Sequence, residues 1–85
     1  MELQELRNEI NAIDGEMLAL LRRRLAVCRQ IGAYKQGCNL PVRDAARESE
    51  KLREAMERGG AAGQRLVALL MALGREEQER ALKGE

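Results

Sequence analysis

Apolar and polar positions alternate in one register along the first half of the chain. From residue 3 to about 36 there is no proline, and only Gly15 and Gly32 interrupt good helix formers. Apolar residues fall at Leu6, Ile10, Ile13, Met17 and Leu20, then at Val27 and Ile31. Most of these steps are four or three residues, the seam of an amphipathic helix. Leu18, Leu21, Leu25 and Cys28 widen the apolar face. "QGCNLP" then breaks the pattern, with a Gly, a candidate N-cap at Asn39, and Pro41 near the first position of a new helix. A second helix is predicted from about 42 to 58, with Ala45, Leu52 and Met56 on one side. "GGAAG" at 59–63 marks a turn, and a third helix is predicted from about 62 to 83 along Leu66, Leu69, Leu70 and Leu73. The expected fold class is all-α, three helices in a single domain over residues 1–85, without internal repeats.

The first helix is too long for a domain of this size. Some 34 residues of helix span about 50 Å, whereas a compact chain of 85 residues has a radius of gyration of about 12 Å. The helix must protrude, and it stays apolar along most of its length. A second copy of the chain is expected to cover it, most simply in a two-fold dimer.

Composition removes several function classes. The 15 basic and 14 acidic residues leave a net charge of +1, too little to provide a bulk field for nucleic acid. Tyr34 is the lone aromatic residue, so bases find no stacking platform. There is no histidine, which argues against a zinc site and excludes a histidine general base. No stretch approaches the ~18 apolar residues of a membrane span. "MELQELRNEI" is charged and periodic from its first turn, unlike a secretory leader, so Cys28 and Cys38 are expected as free thiols in a reducing cytoplasm. Cys28 reads as core, and neither thiol has the base of a nucleophile.

Three residues violate the hydrophobic pattern. Arg24 occupies the seam position between Leu20 and Val27, and Lys35 continues that register after Ile31. They lie three helical turns apart, about 16 Å along one face. Gln78 falls one turn beyond Gly74, on the face of Val67, Leu70 and Met71. A single such residue would be read as snorkelling to water. Together, on faces that converge, they point to a ligand, because buried charge is costly unless paired. "NLPVRDAARE" adds to them: Asp44 and Glu48 share one face, and Arg43 and Arg47 share the adjacent one. Asp44 also suits a first helical turn by its interaction with the dipole. Cations, one or two acids and an amide around a small volume suit a small polar anion carrying carboxylates and a hydroxyl.

The segments "LRNEINAIDGEMLALLRRRLAVCRQIGAYK", "PVRDAARE" and "GREEQ", in that order, make the sequence resemble the all-α class of chorismate mutases along nearly the whole chain. The resemblance implies an intertwined homodimer with two active sites inside helical bundles. It implies that Arg7 of one chain and Arg24 of the other hold the substrate carboxylates. Lys35 would bind a carboxylate and the ether oxygen, and Arg47 would support the carboxylate cluster. Glu48 and the backbone near Asp44 would hold the hydroxyl, and Gln78 would donate to the ether oxygen. Position 74 is Ser in some relatives and Gly74 here, so a hydroxyl contact is lost. No cofactor and no metal are implied, and the substrate would be chorismate, rearranged to prephenate in aromatic amino acid biosynthesis. Such domains are often fused to other enzymes of that route, and the sequence leaves open whether this one is. Two other readings stay open: an isochorismate pyruvate lyase on the same scaffold, and a non-catalytic helical dimer serving regulation.

Helical geometry supports one part of this separately. Arg7 and Lys35 lie roughly 42 Å apart along a straight helix, so they cannot serve one small ligand within a chain. If two copies of the helix pair antiparallel about a two-fold near Leu18, Arg7 falls beside the other copy between its Arg24 and Lys35. The dimer that the helix length calls for would thus deliver Arg7 in trans.

Overall fold

In a computed structural model the described residues are 2–83, and all regular structure among them is helical. Helix α1 spans Leu3–Gly37 and helix α2 spans Ala45–Leu82. The three predicted helices are therefore two by hydrogen bonding. The reversal expected over 59–63 is concentrated at Gly60, where φ is 64° and ψ is −159°, a conformation open essentially to glycine alone. The break folds α2 onto itself. Glu48 and Arg75 stand 27 residues apart, about 40 Å along a straight helix, yet their side chains meet at 2.8 Å. Nearer the break, Gln64 Nε2 donates to the Leu52 carbonyl at 3.2 Å.

The join between α1 and α2 differs from the expected one. Asn39 does not start a helix; it ends α1, adopting the left-handed φ of 58°. The Asn39 N–H donates to the Gln36 carbonyl at 3.2 Å, and the Leu40 N–H to the Lys35 carbonyl at 2.8 Å. This is a Schellman closure, with Asn in the place glycine usually takes. Pro41 consequently lies in the connection, and α2 starts at Ala45. Asp44 is its N-cap, accepting from the Arg47 N–H at 3.1 Å.

The two helices touch only along the second half of α1. Every described residue before Leu21 is exposed. At the crossing, two glycines let the backbones close in. A Cβ on Gly32 would stand 2.7 Å from both the Cα and the carbonyl oxygen of Gln78. A Cβ on Gly74 would stand 3.0 Å from Cys28 Sγ and 3.2 Å from Arg24 Nη1. Cys28, at 7 % exposure, thus fills the space beside the bare backbone of Gly74.

Little else is inside. Among the described hydrophobic residues, Cys28 and Ala55 alone are buried, while Ile10, Ile13, Met17, Leu18, Leu20 and Val27 are at least 47 % exposed. The chain measures 54 × 29 × 12 Å with a radius of gyration of 16.0 Å, against the ~12 Å of a compact chain of this length. It exposes 6686 Å², roughly a third more than a folded monomer of its mass is expected to. No described helix is long and apolar enough to cross a membrane.

Two substitutions probe the crossing. Gly32→Ala is expected to lower stability by about 1–3 kcal/mol through overpacking against backbone, read as a reduced urea midpoint. Gly74→Ser should destabilise in the native background and do so less beside Cys28→Ala, because the smaller side chain removes the nearer of the two contacts and leaves only Arg24 Nη1. Equal effects in both backgrounds, measured as a double-mutant cycle, would show that the sulfur is not what limits position 74.

Candidate active site

The crossing of α1 and α2 encloses a cavity of about 130 Å³. Its walls bring together Arg24 and Lys35 from α1, Asp44 from the connection, and Arg47, Glu48, Gly74 and Gln78 from α2. These are seven of the eight site residues expected from the sequence. The eighth, Arg7, lies near the start of α1 in a shallow apolar groove with Leu3, Leu6 and Ile10, well away from the cavity. The cavity is smaller than the ~300–1,000 Å³ usual for ligand pockets.

Backbone carbonyls hold the two α1 cations in place. Arg24 Nη1 donates to the Leu70 carbonyl at 2.8 Å and lies 3.8 Å from Cys28 Sγ. Lys35 Nζ donates to the Val42 carbonyl at 2.6 Å. Neither contact neutralises the charge. Each uses one N–H of several, leaving the remaining donors for another acceptor. Three helical turns of α1, one carbonyl of α2 and one of the connection thereby fix where positive charge sits.

The acids are occupied in other ways. Glu48, its side chain 17 % exposed, receives Arg75 Nη1 at 2.8 Å on one oxygen and lies 3.5 Å from Arg43 Nε on the other. Asp44 is engaged in capping α2. Farther along α2, Glu77 pairs with Arg29 at 3.1 Å and with Arg80 at 2.9 Å, outside the cavity. Gln78 is different: its Oε1 is buried and has no hydrogen-bond partner. A buried amide oxygen left unpaired is costly, and this one lies on the wall of a cavity rich in cations.

Sequence reasoning missed three residues here. Arg75 lies inside "GREEQ" but received no role; its partner, Glu48, is distant in sequence and becomes visible only once α2 folds back. Cys28 was read as core and is buried, but it also lines the cavity. Lys51 lines it as well, and its spacing of four from Arg47 was the available signal. Cys28 and Cys38 are both free thiols. Among the described residues no group of three or more Cys, Asp or Glu is placed to hold a metal ion.

Residues 6–79 match the family model of chorismate mutase type II. A bifunctional chorismate mutase/prephenate dehydratase from Aquifex aeolicus is 47 % identical over 49 residues, 58 % of this chain and 14 % of its own length. A 3-dehydroquinate dehydratase from Pyrobaculum aerophilum is 42 % identical over 53 residues, 62 % of this chain and 18 % of its own length. The chain thus matches less than a fifth of either curated relative. A solved structure of a conserved hypothetical protein from Pyrococcus furiosus superposes with a TM-score of 0.80 at 34 % identity, covering 89 % of this chain and 93 % of that one. With the family model spanning both helices and every residue of the cavity wall, the chain belongs to the chorismate mutase type II family.

Proposed function

We propose that this chorismate mutase domain converts chorismate to prephenate by binding and electrostatics alone, as a homodimer whose two sites each draw on both chains. One observation carries the reading: Arg24, Lys35, Arg47, Glu48 and Gln78, spread over most of the sequence, line one cavity in a member of this family.

The reaction is a Claisen rearrangement. The ether C–O bond breaks while a C–C bond forms within the same molecule, so no proton moves and no covalent intermediate is needed. Negative charge gathers on the ether oxygen as that bond lengthens. A chain without histidine suits such chemistry. Arg24, with Arg47 nearby, holds the carboxylates so that the extended enolpyruvyl ether adopts its compact reactive conformation. Lys35 and the Gln78 amide face the ether oxygen as fixed donors, with no reorganisation required during reaction. Gln78 lines the same cavity wall as Lys35, which supports this pairing of donors. Glu48, clamped by Arg43 and Arg75, offers a carboxylate oxygen to the substrate hydroxyl.

The dimer follows from the apolar face of α1. Leu6, Ile10, Ile13, Met17, Leu18 and Leu20 stand exposed on a helix that nothing in its own chain covers. Each contributes about 1.5–3 kcal/mol when fully buried, so pairing two copies of α1 supplies the interior that a single chain lacks. Antiparallel pairing about Leu18 also brings Arg7 to the other chain's cavity, where it completes the carboxylate-binding set. The site of action is the cytoplasm.

The direct test is conversion of chorismate to prephenate by the purified chain, followed by absorbance, with salicylate and pyruvate assayed in parallel for the lyase reaction. Lys35→Ala should lower kcat/KM by two to three orders of magnitude, the usual effect of removing one preorganised donor. Near-native turnover in that variant would refute the role given to Lys35.

A further inference from the structure

Lys51 is a cation on the cavity wall that the family resemblance leaves without a role. It is half-buried, and among the described residues its ammonium has no ion-pair partner. Two nearby acids are already engaged: Glu48, one turn earlier, is taken by Arg75 and Arg43, and Asp44, two turns earlier, caps α2. Glu54, one turn later, lines a neighbouring groove with Lys51 but forms no ion pair with it. Arg47 stands one turn before Lys51, and its guanidinium likewise has no carboxylate partner. Positions i and i+4 share a helix face, so the two unpaired cations stand side by side on the same wall. The titratable residues lining the cavity are Arg24, Lys35, Arg47 and Lys51 against Asp44 and Glu48 (apart from the Cys28 thiol). Four positive charges face two negative ones, and Glu48 is already paired with Arg43 and Arg75, so the wall keeps an excess of positive charge that suits an anion with two carboxylates.

We propose that Lys51 is a substrate-binding residue of this site, holding with Arg47 a carboxylate of a dicarboxylate ligand at the α2 wall. The inference rests on the reading that the cavity takes a dianionic substrate. Lys51 contributes charge and a hydrogen bond to ground state and transition state alike, so its effect falls on KM and on ligand affinity, with little on kcat. Its partial exposure places it where solvent reaches the cavity, so it also draws the anion in, and that attraction weakens with salt.

The experiment compares the native chain with Lys51→Met, Lys51→Arg and Arg53→Met, the last removing an exposed cation of the same helix outside the cavity wall. Steady-state turnover of chorismate and calorimetric affinity for a bicyclic dicarboxylate transition-state analogue are measured for each. Lys51→Met should raise KM and weaken the analogue about tenfold, the effect of one charge-assisted hydrogen bond, with kcat within about threefold. Lys51→Arg should restore both, and Arg53→Met should leave both unchanged. An unchanged KM and affinity in Lys51→Met, or an equal change in Arg53→Met, would overturn the assignment. If the native chain bound the analogue but turned nothing over, the proposed reaction would fail while Lys51 was still judged by affinity. If it bound no analogue, both would fall.

Discussion

A chain whose described hydrophobic residues are nearly all in contact with solvent does not have an interior of its own, and that shortage organises the rest. Helix α1 is an apolar rod, and α2 covers only its second half. Where the two do meet, contact is close because Gly32 and Gly74 present bare backbone. The closest approach of α1 and α2 is thus at one crossing, and the rest of the apolar seam of α1 is left uncovered. The candidate site forms at that crossing. There the backbones approach closely enough to fix side chains, and the crossing lies at the end of the apolar face that α2 leaves uncovered.

Density there serves electrostatics. Arg24 and Lys35 donate to carbonyls, neutral acceptors that orient a cation without neutralising it. The carboxylates in reach are committed elsewhere, Glu48 to two arginines and Asp44 to a helix cap. The result is a small volume in which positive charge is present before any ligand arrives. For a rearrangement with no proton transfer, fixed charge and fixed shape are sufficient means, and the absence of histidine costs nothing.

Much of this could be read from the sequence because hydrophobic periodicity and its violations are local signals. The extent of α1 followed from the period, and Arg24, Lys35 and Gln78 stood out as polar residues in an apolar register. The entry to α2 was misplaced, since Asn39 and Pro41 have the residue types of a helix start. What decided the matter was the tolerance of asparagine for left-handed backbone, which let it close α1 instead. The reversal in α2 was expected as a five-residue turn, but a single glycine with a conformation closed to other residues suffices. The Glu48–Arg75 pair and the Gly32–Gln78 approach join positions far apart in sequence, where periodicity carries no information.

Sharing of each site between two chains is the claim on which shape, charge and chemistry all depend, and subunit exchange tests it most directly. Arg7→Ala and Lys35→Ala proteins, each inactive alone, are mixed, allowed to exchange chains, and assayed for prephenate. If Arg7 acts in trans, each mixed dimer regains one intact site, and random exchange restores about a quarter of the native sites. No activity in mixtures whose exchange is verified by native mass spectrometry would contradict the shared site.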